Sequence, residues 1–292
     1  MTAVRLAIVA DIHHGADQFT KKGTAALPLM ADFARFVADA KPDLVLDLGD
    51  RISDEDRDTD LRLEREVADA FKAIETPIHH ICGNHDRDHL SVAENAEILG
   101  QDLDHATVDL GDWTLVLWRA DSRIRRPGGF LLTEADLLWL AATVRTATKP
   151  LLLASHVPIS GHSQEGNYYF ERNPESSTYP GAERARAILA TARVPVVAIA
   201  GHVHWNTLTI VDGMPHFTLQ SLTETFTTHP APAAAWALLE LSDVIDWRVH
   251  GLDRFEAKLN AADTMRRWIA PLPPFHEHPE IRAKHAMRQA AE

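Results

Sequence analysis

Val196-Val-Ala-Ile-Ala-Gly-His-Val-His204 is five apolar residues, a glycine, and two histidines two positions apart. An apolar run with neither a helical nor an alternating period reads as a strand buried on both faces. The construction recurs four times upstream. Val4 to Ala10 runs into Asp11 and His13, and Leu44 to Gly49 into Asp50. Ile78 to Gly83 runs into Asn84, His85 and Asp86, and Leu151 to Ser155 into His156. Five buried strands that each end in a metal-binding side chain point to a two-metal hydrolytic centre on one edge of a sheet.

The residue types fit that chemistry. In extended chain, residues two apart share a face, so Asp11 with His13, and His202 with His204, can each reach one ion. Asp50 is a lone carboxylate able to bridge two cations. Asn84 offers a neutral carbonyl oxygen and His156 an imidazole. Mixed imidazole and oxygen ligands suit Mn, Fe, Zn or Co better than Ca or Mg.

Helical periods separate the runs. Leu29 to Ala40 carries Phe33, Phe36, Val37 and Ala40 at helical spacing. Leu61 to Ile74 reads as a second helix, and Val92 to Leu99, closed by Gly100, as a third. Thr133 caps a helix from Glu134 to about Val144, and another spans Ala182 to Ala192. Trp113 to Trp118 adds a strand. After His204 the texture changes: Thr207–Val211, His216–Leu219, Trp236–Leu241 and Val244–His250 read as an antiparallel meander. Strand–helix alternation followed by a meander implies an α/β fold of mixed sheets with helices outside. Ligands of open α/β sheets bind beyond the carboxyl ends of the strands. One domain over residues 1–252 is expected. Residues 253–292 read as a tail with a short helix, a Pro271–Pro274 stop and a charged helix from Pro279. It is expected to pack on the body or on a second subunit, giving a homo-oligomer.

The chain has 292 residues, 45% of them hydrophobic, and a formal charge of −13. That charge argues against a stable nucleic-acid complex, whose affinity comes from Lys and Arg on phosphates. The single cysteine, Cys82, forms no internal disulfide and lies in an apolar run, as a small buried hydrophobe does. No stretch has the length of a membrane span or the make-up of a signal peptide, so a cytoplasmic protein without membrane partners is expected.

The order Asp11-Ile-His13, Gly49-Asp50, Gly83-Asn84-His85-Asp86, His156, Gly201-His202-Val-His204 resembles the calcineurin-like metallophosphoesterase superfamily. Within it, the chain is most similar to the bacterial class III cyclic nucleotide phosphodiesterase-like enzymes. The resemblance covers residues 11–204. It implies a four-layer α/β/β/α sandwich with two mixed sheets. It also implies that Asp11, His13 and His204 bind one metal, that Asn84, His156 and His202 bind the other, and that Asp50 bridges them. His85 would contact the substrate phosphate and protonate the leaving group, with Asp86 orienting its ring. The implied activity is hydrolysis of small phosphodiesters, such as cyclic nucleotides or a glycerophosphodiester, by a metal-activated water. A phosphomonoesterase or nucleotide pyrophosphatase on the same centre is the second reading, and a non-catalytic scaffold of the same fold the third.

Four positions depart from the family pattern. Arg51 follows Asp50 where an aliphatic residue is common, and it would touch a substrate phosphate or pair with a nearby acid. Ser53 stands where an acid is usual, with Asp54 one step late. His14 and Ser155 replace an apolar residue and a glycine. Elsewhere, the acidic run Asp54–Asp60 reads as a solvated loop. Of His79 and His80, one is expected inside and one at the surface. Tyr168, Tyr169 and Tyr179 all fall in the loop from about Pro158 to Pro180. Such a loop can be a lid, with Tyr168 and Tyr169 on the substrate's organic group, or its rings can simply hold it down.

Overall fold

The computed structural model describes residues 3–289. The apolar runs become strands β1 (Val4–Val9), β2 (Leu44–Asp47) and β3 (Ile78–His80), then β4 (Ala106–Leu110), β5 (Trp113–Leu117), β6 (Leu151–Ala154) and β7 (Val196–Ala200). They continue as β8 (Thr207–Val211), β9 (Met214–Thr218), β10 (Trp236–Leu241), β11 (Val244–His250) and β12 (Phe255–Asn260). The helices are α1 (Ala26–Ala40), α2 (Arg57–Phe71), α3 (Val92–Leu99), α4 (Glu134–Thr146), α5 (Ala182–Ala190) and α6 (Pro279–Gln289).

Two six-stranded mixed sheets result, ordered β12-β11-β10-β1-β2-β3 and β4-β5-β6-β7-β9-β8. Successive side chains of a strand point to opposite faces, and here both faces are covered. Leu6 and Ile8 of β1 meet Leu115, Leu152 and Ile199 of the other sheet in a core between the sheets. Ala7 and Val9 pack outward on Met30 and Phe33 of α1 and Val67 of α2. Val116, Leu153 and Val196 face Leu140 of α4 and Leu189 of α5. The layers are therefore α/β/β/α. Each fully buried aliphatic side chain contributes roughly 1.5–3 kcal/mol, and both sheets are lined with them.

The segment after His204 is not one meander. The β8–β9 hairpin joins the second sheet, with β9 parallel to β7, while β10, β11 and β12 extend the first sheet beside β1. β12 lies where the tail was expected, so the sheet continues past residue 252. Its Phe-Glu-Ala-Lys-Leu-Asn sequence alternates half-buried and exposed positions, as an edge strand does. β4 is the other unexpected strand, also an edge with alternating exposure. α2 starts at Arg57, not Leu61, because the Asp56 carboxylate accepts the Thr59 amide at 2.9 Å and caps it. The tail packs on the body as far as Trp268, whose amide donates to Asp212 at 2.7 Å. Beyond it, Ile269, Leu272 and Phe275 are exposed. No helix among the described residues is long and apolar enough to cross a membrane.

Candidate metal centre

β1, β2, β3, β6 and β7 deliver their following residues to one end of the sandwich, from both sheets. The chain there is not extended. Asp11, His13, Asp50, His202 and His204 all have positive φ, between 49° and 71°. The left-handed conformation costs a non-glycine residue about 1–2 kcal/mol, and it persists only where its surroundings impose it. Here the Asp11 amide donates to the Gly49 carbonyl and the His13 amide to the Asp50 carbonyl, both at 2.9 Å. Ser221 and Thr223 hydroxyls donate to the Asp11 and Ile12 carbonyls. The left-handed turns, rather than an extended face, aim each D-x-H and H-x-H pair inward.

The glycines before the ligands have a steric cause. A Cβ on Gly83 would lie 2.1 Å from Asp50 Oδ1, and one on Gly201 would lie 2.7 Å from Asp11 Oδ2. Only a residue without a side chain lets the strand exits approach this closely.

Two groupings with a shared member form. Ligand atoms of Asp11, His13, Asp50 and His204 lie within 4.8 Å of one another, as do those of Asp50, His156 and His202. Asn84 Oδ1 adds to the second, 3.3 Å from His156 Nε2. All seven side chains are buried. Ligand atoms about 2.0–2.2 Å from a common ion sit at such mutual spacings, so the donor set fits two ions that share the Asp50 carboxylate.

The outer hydrogen bonds fix which ring nitrogen faces inward. His156 Nδ1–H donates to the Leu48 carbonyl at 2.8 Å and His204 Nδ1–H to Glu224 at 3.0 Å, so each directs Nε2 inward. His202 Nε2–H donates to the Ser176 carbonyl at 2.9 Å, leaving Nδ1. His13 and His204 bring their Nε2 atoms within 2.9 Å of each other. The protein's own field keeps Asp50 anionic: burial alone would raise its carboxyl, but His156, His85 and His13 hold it well below the usual range. Burial alone would likewise lower His156 and His204. Asp50 lifts the first to about 9, and Asp11 with Glu224 lifts the second to about 9. Burial depresses His202 to about 3.

His85 sits at the mouth of this pocket, its Nε2 4.0 Å from Asp50 Oδ2 and its ring edge-on to His13. Its Nδ1 is bonded to Asp54, not Asp86. Asp86 is fully buried and accepts the amides of Gly83, Asp50 and Arg51 at 2.7–3.0 Å. It shapes the turn and does not orient the ring. Asp54 takes that part from one step beyond the expected position, and it belongs to the site rather than to a solvated loop. Asp60 of the same run is fully buried too.

Arg51 does not line the cavity over the site. It is fully buried on the far side of Asp50, with Asp47, Glu64 and Asp86 around its guanidinium. Of the expected acid partner and substrate contact, the structure gives the first. Burial by itself would lower Arg51, but the three carboxylates outweigh it and keep it charged. Cys82 lies against the same cluster, its thiol pushed up to about 12 by burial. His80 is buried on Asp47, and His79 is half-buried.

A cavity of about 310 Å³ opens over the groupings, lined by Lys21, Asp54, Asn84, His85, Ile124, Arg126, Tyr169 and Phe170 among others. Tyr169 reaches it, held by a 2.8 Å hydrogen bond between its hydroxyl and Thr20. Tyr168 does not line it. Its ring is 55% exposed and stacks on Phe226. Tyr179 is core, its hydroxyl donating to the Ala120 carbonyl. Glu224, Lys21, Ile124 and Arg126 escaped the sequence reading. Glu224 was hidden because β9 read as meander, whereas it is another parallel strand with a polar exit. Lys21 follows no strand and carries no signal.

The model of the calcineurin-like phosphoesterase family matches residues 4–206, and the chain belongs to that family. Among solved structures, it resembles a dimetal phosphatase from Danio rerio, with a TM-score of 0.70 at 16% identity, over 88% of this chain and 99% of that one. It also resembles GAP50, the anchor in the inner membrane complex of Plasmodium, with a TM-score of 0.55 at 16% identity over 89% of each. At these identities the likeness establishes the fold. No curated protein matches the chain.

Proposed function

We propose that this protein is a dinuclear metal-dependent phosphoesterase that hydrolyses small phosphodiesters, with Mn, Fe, Zn or Co as the ions. The observation that carries the reading is the pair of buried ligand groupings joined through Asp50. Asp11, His13 and His204 would hold one ion and Asn84, His156 and His202 the other. Such ions, when bound, supply Lewis-acid charge and lower the pKa of water.

The chain's own groups do the rest. With its Nδ1 engaged by Asp54, His85 presents Nε2 to the cavity. It hydrogen-bonds the phosphoryl group and gives a proton to the departing oxygen, a contribution of about 10²–10⁴ in rate. Asn84, which lines the cavity, steadies a phosphoryl oxygen. Tyr169, Phe170 and Ile124 supply an apolar wall for the organic group, as ligand pockets do. Retention of the full ligand set and of His85 speaks against a non-catalytic scaffold.

Hydrolysis of an aryl phosphomonoester, an aryl phosphodiester and 2′,3′- and 3′,5′-cyclic nucleotides should be compared on one sample of measured metal content. The diester or cyclic substrates are expected to be preferred. Faster turnover of the monoester makes this a phosphomonoesterase. Inertness toward all of them with added Mn²⁺ leaves a scaffold. The exposed apolar side chains beyond Trp268 support the further reading that the tail meets a second subunit, which sedimentation of chains cut after residue 268 would test.

A further inference from the structure

Lys21 lies in the loop between β1 and α1. Its backbone is pinned on both sides. It exchanges hydrogen bonds with Gln18 at 2.9 and 3.1 Å, and it forms an antiparallel bridge to Glu224, the partner of His204. The next amide, of Lys22, donates to Thr223 at 2.9 Å. The side chain is therefore held in place and only 4% exposed. Its ammonium makes no hydrogen bond with any described residue and no ion pair within 4.0 Å. Lys22 beside it pairs with Asp17 at the surface.

An ammonium without a partner on a side chain this enclosed is costly. Asp50, Asp54, Glu224 and Asp11 all attract it, yet burial dominates and lowers its pKa below the ordinary lysine range. A counter-charge for those carboxylates would be expected in contact with one of them, and the Lys21 ammonium makes no ion pair with any. What it does touch is the cavity, which it lines with Asp50, Asn84, His85, His202 and His204.

We propose that Lys21 is a substrate-binding residue whose ammonium takes an anionic non-bridging oxygen of the bound phosphoryl group. The proposal rests on the phosphoesterase reading for the identity of the anion. A point charge that can donate three hydrogen bonds suits a phosphoryl oxygen.

The test compares wild type, Lys21→Met and Lys21→Arg, all loaded with Mn²⁺. Inorganic phosphate affinity is measured by titration calorimetry, metal content by mass spectrometry, and steady-state kinetics on the aryl phosphodiester. Lys21→Met is expected to bind phosphate about 10- to 100-fold more weakly. KM should rise by a similar factor, kcat should change less, and metal content should stay at the wild-type value. Lys21→Arg should recover part of the phosphate affinity. Unchanged phosphate affinity in Lys21→Met overturns the proposal. So does loss of metal, which would make Lys21 a counter-charge of the ligands. Should Lys21→Met fail to fold, Lys21→Arg and Lys21→Gln decide: equal phosphate affinity in the two overturns the proposal. A wild type that binds no phosphate also overturns it. A wild type that binds phosphate but cleaves no ester sinks the catalytic reading alone, and the calorimetry still judges Lys21.

Discussion

Arg51→Met removes the guanidinium around which three fully buried carboxylates are arranged. Nη1 lies 2.8 Å from Asp47 and Nη2 lies 3.1 Å from Asp86, with Nε on Glu64. Breaking a buried pair by removing one partner costs about 3–5 kcal/mol, because the remaining charge is stranded. A chain of this size loses about 2–4 °C of Tm per kcal/mol, so the expected fall is roughly 6–20 °C. The deficit should depend on pH. Burial and the neighbouring Asp86 and Asp47 outweigh Arg51 and push Glu64 from 4.5 up to about 8. A carboxyl raised in the fold binds its proton more tightly folded than unfolded. Its contribution is full below the unfolded pKa and is lost as pH rises toward the folded one. Removing the cation raises the carboxyls further, so the loss in Arg51→Met should be larger near about pH 8 than near about pH 5.5. Asp86 also holds the Asp50 and Gly83 amides, so metal content should fall with stability. Thermal melts of both proteins at the two pH values, with KM on the aryl diester, make the test. An unchanged Tm with a raised KM would show that Arg51 contacts substrate after all. A Tm deficit equal at both pH values would refute the electrostatic cause.

Asp54→Asn should lower kcat about 10- to 100-fold with metal content intact, since the ring it orients is the proposed proton donor; wild-type kcat would remove Asp54 from that role. Glu224→Gln should weaken one metal about 10- to 100-fold, the usual cost of losing a carboxylate behind a ligand histidine; competition with a chelator reads this, and an unchanged constant contradicts it. Gly83→Ala places a methyl 2.1 Å from Asp50 Oδ1. It should cost about 1–3 kcal/mol or more by overpacking, and it should strip the shared carboxylate from the ions. Full metal content in a well-folded Gly83→Ala would mean that the close approach is not required.

The metal groupings were legible because each ligand follows a short apolar run, most of them buried on both faces, and parallel strands put their exits at one end. Direction within an exit was less legible. Asp50 and Arg51 are neighbours, yet one enters the pocket and the other the interior, because the chain turns through the left-handed Asp50. Spacing alone could not separate Asp54 from Asp86 as the partner of His85. That choice rests on how the turn Gly83–Asp86 folds back onto the Asp50 amide. The sandwich itself followed from the family resemblance, and β4 and β12 escaped because edge strands carry few large apolar residues. Nor could the sequence reveal that Asp11 and His13 converge through left-handed turns, which need partner carbonyls from another strand.

The most direct test is anomalous scattering from crystals of Mn²⁺-loaded protein. The expected result is two peaks about 3.5–4 Å apart, one against Asp11, His13 and His204 and the other against Asn84, His156 and His202, with Asp50 between them. A single peak, or peaks away from these side chains, would contradict the shared centre on which the proposed chemistry stands.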